Sequence, residues 1–256
     1  MSNMRFAHPL ISASLISLLA LASLLIAARI APAAAMSVTP IHVEMTSAGA
    51  GGRAQVSVTN DGTEALPVEG VIQKMALAED GSQQLAPAGE DFLVFPPQAL
   101  IPPGGSQVFR VQWVGEPMIA SSQSFLLSMN QIPVKLPAGQ SAVQVVMSFG
   151  VVINVAPPQG TPSLNLVDTG VAKSKDGKRH PTITVENPSN VHALLPQSTI
   201  QLTGGGWSYS LQPLELSEKV GIGLVQPGSK RRFILPVDLP ANVTTVQASL
   251  DFKPKR

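Results

Sequence analysis

Beyond residue 35 the chain is a succession of short segments in which apolar and polar residues alternate, each cut off by Gly, Pro, Asn or Asp. "AQVSVTNDG" alternates and then stops at Asn-Asp-Gly, a triplet that tolerates the positive φ of a tight turn. "LPVEGVIQKMAL" resumes with Val68, Gly70 and Ile72 on one face. "ALIPPGGSQVFRVQW" turns at Pro-Gly into a strand from Val108 to Trp113, and "SFLLSMNQIPV" follows. A period of two sends alternate side chains to opposite faces of a strand. Strands that close about every ten residues, with little helical periodicity between them, predict an all-β chain of the sandwich type.

The pattern breaks once. "APPQGTP", residues 156–162, cannot continue a central strand because proline donates nothing to the ladder, so it reads as a hinge. Alternation then restarts in "SLNLVDTGV", "PTITVENPSNVHALL", "STIQLTG", "WSYSL", "QPGSKRRFILPVDLP" and "TVQASLDF". Both halves carry a strand ending in Asn and a turn ("VSVTNDG", "ITVENPS"). Both later carry Pro-Gly before a strand with Arg ("IPPGGSQVFRV", "VQPGSKRRFIL"). The expectation is two tandem immunoglobulin-like β-sandwiches, over residues 36–157 and 158–256.

Residues 1–35 have a different character. Arg5 precedes a Leu/Ile/Ala/Ser run that ends in Ala33-Ala34-Ala35, the small-residue rule of a cleaved secretory signal peptide. The run approaches spanning length, so a membrane anchor is the competing reading. Cleavage would remove two arginines and no acid, leaving 15 basic and 16 acidic residues, a near-neutral −1. That balance offers no electrostatic case for nucleic acid or an anionic membrane. Cysteine is absent, so an exported chain of this kind must hold together by core burial alone.

Catalytic chemistry is hard to find. His42, His180 and His192 are the histidines past residue 35, and none has metal-ligand spacing to another His or an acid. No nucleophile elbow, phosphate loop or zincin motif is present. "TGGGWSY" and "KSKDGKR" read as hairpin loops, the second turning at Asp-Gly. Trp113 and Trp207 lie on strand patterns, and aromatics make up only 4% of the chain, which argues against a stacking or sugar-binding platform. No enzyme activity, cofactor, metal or small-molecule substrate is expected.

The ordered set "VTNDG", "PPGGSQVFRVQW", "SFLLSMNQIP" and "VENPSN" resembles the PapD-like periplasmic chaperones of chaperone–usher pilus assembly, in what looks like a divergent branch. The resemblance implies a periplasmic protein whose partners are pilus subunits and an outer-membrane usher. A subunit of that system is a sandwich lacking its last strand, and the chaperone lends its own strand, the one before the hinge, to fill the groove.

Here that strand lies in "SAVQVVMSFGVVINVAP", 17 residues without a charge. Position assigns Val143, Val145, Met147 and Phe149 as the donor residues, while Gly150–Val155 looks less cleanly alternating. Edge strands are normally blunted by charge or proline, and 141–149 has neither. The same alternation would equally serve a strand that buries one face in its own domain, and the sequence leaves both readings open.

The family's basic pair, which anchors the subunit's terminal carboxylate, falls on His42 and Val152. Valine cannot take that role and histidine can do so only while protonated. Ser122, Gln123 and Ser124, at the start of the preceding strand, are the candidate replacements. Arg110 matches an Arg that in relatives belongs to an internal ionic network. A secreted structural or adhesive protein built of two sandwiches is the alternative function.

Overall fold

The computed structural model describes residues 36–133 and 146–254. The expected signal peptide, and Val143 and Val145, lie outside the described residues. Ten strands build the first domain: β1 (Met36–Thr39), β2 (His42–Thr46), β3 (Arg53–Asn60), β4 (Leu66–Leu77), β5 (Gln83–Pro87), β6 (Phe92–Phe95), β7 (Gln98–Ile101), β8 (Ser106–Trp113), β9 (Gln123–Gln131) and β10 (Ser148–Ala156). One sheet runs β1-β3-β8-β6. The other runs β2-β10-β9-β4-β5, with β7 also on β4. Neighbours are antiparallel except β2 and β10, which run parallel from Val152 opposite His42 to Ala156 opposite Thr46.

Alternation does the packing. Val56, Val58, Phe109, Val111 and Trp113 of one sheet meet Phe125, Leu127, Met129, Val151, Ile153 and Val155 of the other, all buried. Phe92 stands edge-on to Trp113 and Phe125, with ring centroids 5.1 and 4.8 Å away. Each such side chain contributes about 1.5–3 kcal/mol when withdrawn from water, which is how a chain without disulfides holds its shape.

The second domain has its own core, centred on Ile183, Val185, Leu195, Ile200, Leu202, Leu211, Leu216 and Leu235. Its strands are β11 (Asn165–Lys173), β12 (Arg179–Glu186), β13 (Ala193–Leu194), β14 (Ser198–Gly204), β15 (Trp207–Leu211), β16 (Leu224–Val225), β17 (Lys230–Ile234) and β18 (Gln247–Phe252). They form the sheets β11-β12-β17 and β15-β14-β18 and the short pair β13-β16. Both expected hairpins are present: β11 and β12 close through Gly177, and β14 and β15 through Gly205 and Gly206, all three with positive φ. One helix, α1 (Pro213–Val220), goes beyond the all-strand expectation. Its signals are local and short: Pro at its first turn, Gly221 just past its end, and the Glu215–Lys219 pair one turn apart at 3.8 Å. Arg110 departs from the expected internal network, since it lies on the exposed face of β8 opposite Phe95.

The repeated Asn and Pro-Gly signatures meet in space, once per domain. Asn60 Nδ2 donates to Glu64 O and Ile101 O, and Asn60 Oδ1 accepts from Gly62 N. Asn187 does the same with Val191 O, Val225 O and Ser189 N. Each backbone also pairs with the Pro-Gly turn, through Gly104 and Gly105 in one domain and Gly228 and Ser229 in the other. Gly104 and Gly228 take φ of 68° and 64°, values that disfavour any side chain. Each Asn is thus a buried staple between a strand end and a distant turn. Removing one strands two carbonyl acceptors, at about 1–3 kcal/mol for each unsatisfied group. Asn60→Ala or Asn187→Ala is expected to cost its domain about 2–4 kcal/mol in chemical denaturation, and a change near zero would show the staple to be dispensable.

Candidate functional site

The parallel β2–β10 pairing builds the end of the sheet nearest the hinge. Register sets His42 beside Val152 and Glu44 beside Asn154, and β9 adds Ser124 on the far side of Asn154. Val43, Met45, Ile153, Val155 and Phe125 occupy the core-facing positions. The even-numbered set His42, Glu44, Ser124, Val152 and Asn154 therefore shares the outer face. The two positions marked by the family's basic pair are direct cross-strand neighbours, one histidine and one valine.

The second domain completes this face with His192, which is 6% exposed and follows β12. Its Nε2 lies 2.6 Å from Glu44 Oε2. Its backbone N–H donates to Ser122 Oγ at 3.1 Å, and its Nδ1 is 3.0 Å from the same hydroxyl. On the other carboxylate oxygen, His42 Nε2 lies 2.7 Å and Asn154 Nδ2 3.1 Å from Oε1. Asn154 is fully buried, and its Oδ1 accepts from Ser124 Oγ at 2.8 Å. Glu44 is half-exposed and lines a cavity of about 860 Å³ between the domains, with Thr46, Thr161, Leu194 and Gln197.

Burial opposes ionisation of Glu44, but the hydrogen bonds and charges of His192 and His42 outweigh it and lower its pKa from 4.5 to about 2. A depressed folded-state value means stability that is in place above pH 4.5 and is lost as the pH falls through about 2. Solvent screens the half-exposed carboxylate, so its share is about 1 kcal/mol. Glu44→Gln is expected to flatten this part of the acid stability profile. A 13C titration of the Glu44 carboxyl with its midpoint near 4.5 would contradict the depressed value.

A second tie crosses the hinge. The Gln226 side chain acts as a one-residue strand against β4, with Oε1 accepting from Leu77 N and Nε2 donating to Met75 O, both at 2.8 Å. Arg232 N donates to Glu79 O at 2.7 Å, and Ser122 N to Asn190 O at 2.9 Å. Gln123 lines a smaller recess on this side with Lys74, Ser121 and Gln226.

At its other end β10 is half-open. β2 joins only at Val152, so among the described residues Ser148–Val151 have β9 as their single partner strand. Met147 packs partly against the domain core, and Phe149, opposite Met129, is 36% exposed. Gly150–Val155, expected to lose clean alternation and to be buried near the hinge, is buried from Val151 on apart from the half-buried Val152; the facing still alternates, with Val151, Ile153 and Val155 on the face that Met147 and Phe149 begin and Asn154 buried on the other. Gly150 lies on the opposite face, where an added Cβ would come within 2.9 Å of Leu126 Cδ1.

Sequence reasoning placed His42, Ser122, Gln123 and Ser124 near the hinge, where the structure has them. It missed Glu44, Asn154 and His192. His42 and Glu44 are two apart on one strand, a same-face signal available in "HVEM". His192 lies 148 residues from Glu44 and carries no local signal.

No family model matches the sequence, and no curated protein matches it. Solved structures do. The chain is similar to one from a chaperone–tip adhesin complex of CFA/I fimbriae biogenesis, at 13% identity and a TM-score of 0.52, over 87% of this chain and 94% of that one. It is similar to the class 5 fimbriae chaperone CfaA, at 13% identity and 0.51, over 86% and 100%. A chain of the Salmonella enterica SafA pilin–SafB chaperone complex gives 16% identity and 0.51, over 86% and 97%. The likeness is one of fold: this is the all-β, two-sandwich architecture of those proteins.

Proposed function

We propose that the chain is a periplasmic chaperone of pilus subunits, which lends the open edge of β10 to a subunit and passes it to an outer-membrane usher. The observation that carries the reading is the half-paired strand. Among the described residues Ser148–Val151 leave one edge of the ladder without a partner strand, residues 141–149 carry no charge or proline, and Phe149 stands part-exposed beside that edge. Such an edge templates another strand. Strand addition supplies main-chain hydrogen bonds, while alternate side chains fill the partner's pockets. Because Met147 and Phe149 begin the same face as Val151 and Ile153, an added sandwich would extend the chaperone's own core. The fold shared with fimbrial chaperones supports this reading.

In this reading Val143 and Val145 prolong the donor face, and the cleft at His42, Ser122, Gln123 and Ser124 receives the subunit's terminal carboxylate. Binding and release use no cofactor, since exchange of β10 for the next subunit's N-terminal extension frees the chaperone. The test is co-expression with subunits encoded beside it. A one-to-one complex on purification is expected. Recovery of every such subunit in equal yield without the chaperone would overturn the proposal.

A further inference from the structure

The carboxylate-recognising groups of the cleft are already in use, and their ligand belongs to the chain itself. Three nitrogens converge on Glu44, from His192 at 2.6 Å, His42 at 2.7 Å and Asn154 at 3.1 Å, and Asn154 Nδ2 also lies 3.0 Å from His42 Nε2; with each histidine protonated at Nε2, all three donate to the carboxylate. Two of the donors are buried and held from behind: His192 by the Ser122 hydroxyl, Asn154 by Ser124. The acceptor has neither property. Glu44 is 46% exposed at the cavity and has three rotatable bonds between backbone and carboxylate. Buried, braced donors around a half-solvated carboxylate on a three-bond tether have the form of a receptor and a tethered ligand.

We infer that His42, His192 and Asn154 form a carboxylate receptor whose resident occupant is Glu44, and that a partner's carboxylate binds by taking its place. This rests on the reading that the cleft receives a subunit's carboxylate, and adds the regulation of that site. Exchange trades three hydrogen bonds for three equivalent ones, so a lone carboxylate gains little. A partner must supply the surplus through its other contacts. Glu44 thereby gates the cleft, because apparent affinity falls by the fraction of time the donors are free. Among the described residues, Glu44 is the one acid that lines the cavity, and no lysine or arginine does. A Glu44 that served only to tie the domains would not yield to a competing carboxylate, and the wild-type ring nitrogens would stay unmoved at any acetate concentration.

Acetate is the probe, and the readout is the 15N shift of the His42 and His192 ring nitrogens in the full chain. The order of response expected is Glu44→Ala first, Glu44→Gln at higher acetate because its neutral amide is the weaker occupant, and wild type last. The Ala variant should bind acetate at least about tenfold more tightly than wild type, as a donor set free less than about a tenth of the time requires. Glu218→Ala, an exposed acid on α1, should match wild type. Equal response in wild type and Glu44→Ala, or no saturable response in either folded Glu44 variant, overturns the inference. Failure of the chaperone reading shows separately, as absence of subunit capture by wild type while the acetate series holds.

Discussion

If β10 is the donor strand proposed above, Phe149→Asp combined with Val145→Asp is expected to abolish subunit capture while leaving the chain folded. Phe149 is 36% exposed and flanks the edge of β10 that has no partner strand among the described residues, so its replacement costs its own domain less than that of a fully buried ring. In a complex the ring would enter a partner's core. Full withdrawal of a large side chain from water is worth about 1.5–3 kcal/mol; about a third of that remains to be gained here, so its loss alone lowers affinity about two- to sixfold. A buried, unpaired carboxylate adds a further penalty, and two together remove the complex from a co-purification.

Ser148→Asp is the parity control. Ser148 is equally exposed but lies on the other face of the same strand, so capture should survive. Loss of capture with Ser148→Asp, or its persistence in the double variant, would mean that the strand is not read by alternate side chains. Met147 is the poorer choice for this test. It packs against the domain's own core, so its replacement mixes folding with binding.

Phe125→Ala is expected to melt the first domain selectively. Phe125 is fully buried, opposite Ile153 on β10, edge-on to Phe92 and 5.8 Å from Trp113. Truncation of such a ring costs about 3–5 kcal/mol, a large part of the 5–15 kcal/mol typical of a domain. At about 4–8 °C per kcal/mol, the first-domain transition should fall by about 12 °C or more in calorimetry. The second domain has a separate core, and its transition should stay in place. A single transition that moves as one would show the hinge contacts of Gln226 and His192 to couple the two sandwiches more tightly than their separate cores imply.

Much of this architecture is legible before any coordinates. Alternation and turn residues act over a few positions, so "VSVTNDG", "KSKDGKR" and "TGGGWSY" announce their strands and hairpins by local chemistry. The repeated Asn and Pro-Gly signals gave two related sandwiches, and the staples at Asn60 and Asn187 are the physical reason that both signals recur. The helix α1 escaped because two turns of chain among strands give too short a run for a 3.6-residue period to stand out. The persistence of alternation through Val155 was obscured by its outward partners. Val152 and Asn154 occupy the opposite face, and a valine there looks like core.

The functional cleft divides the same way. Sequence alone determined the fold class, the tandem organisation and the uncharged apolar strand, because each depends on residue type at short spacing. Only the tertiary structure decided which polar side chains meet beside Val152. Glu44, Asn154 and His192 come from three segments up to 148 residues apart, and they meet because β2 pairs in parallel with β10 and the second domain closes over that end of the sheet. A hydrogen bond is set by position in space, and spacing along a chain that turns back on itself so many times does not encode it.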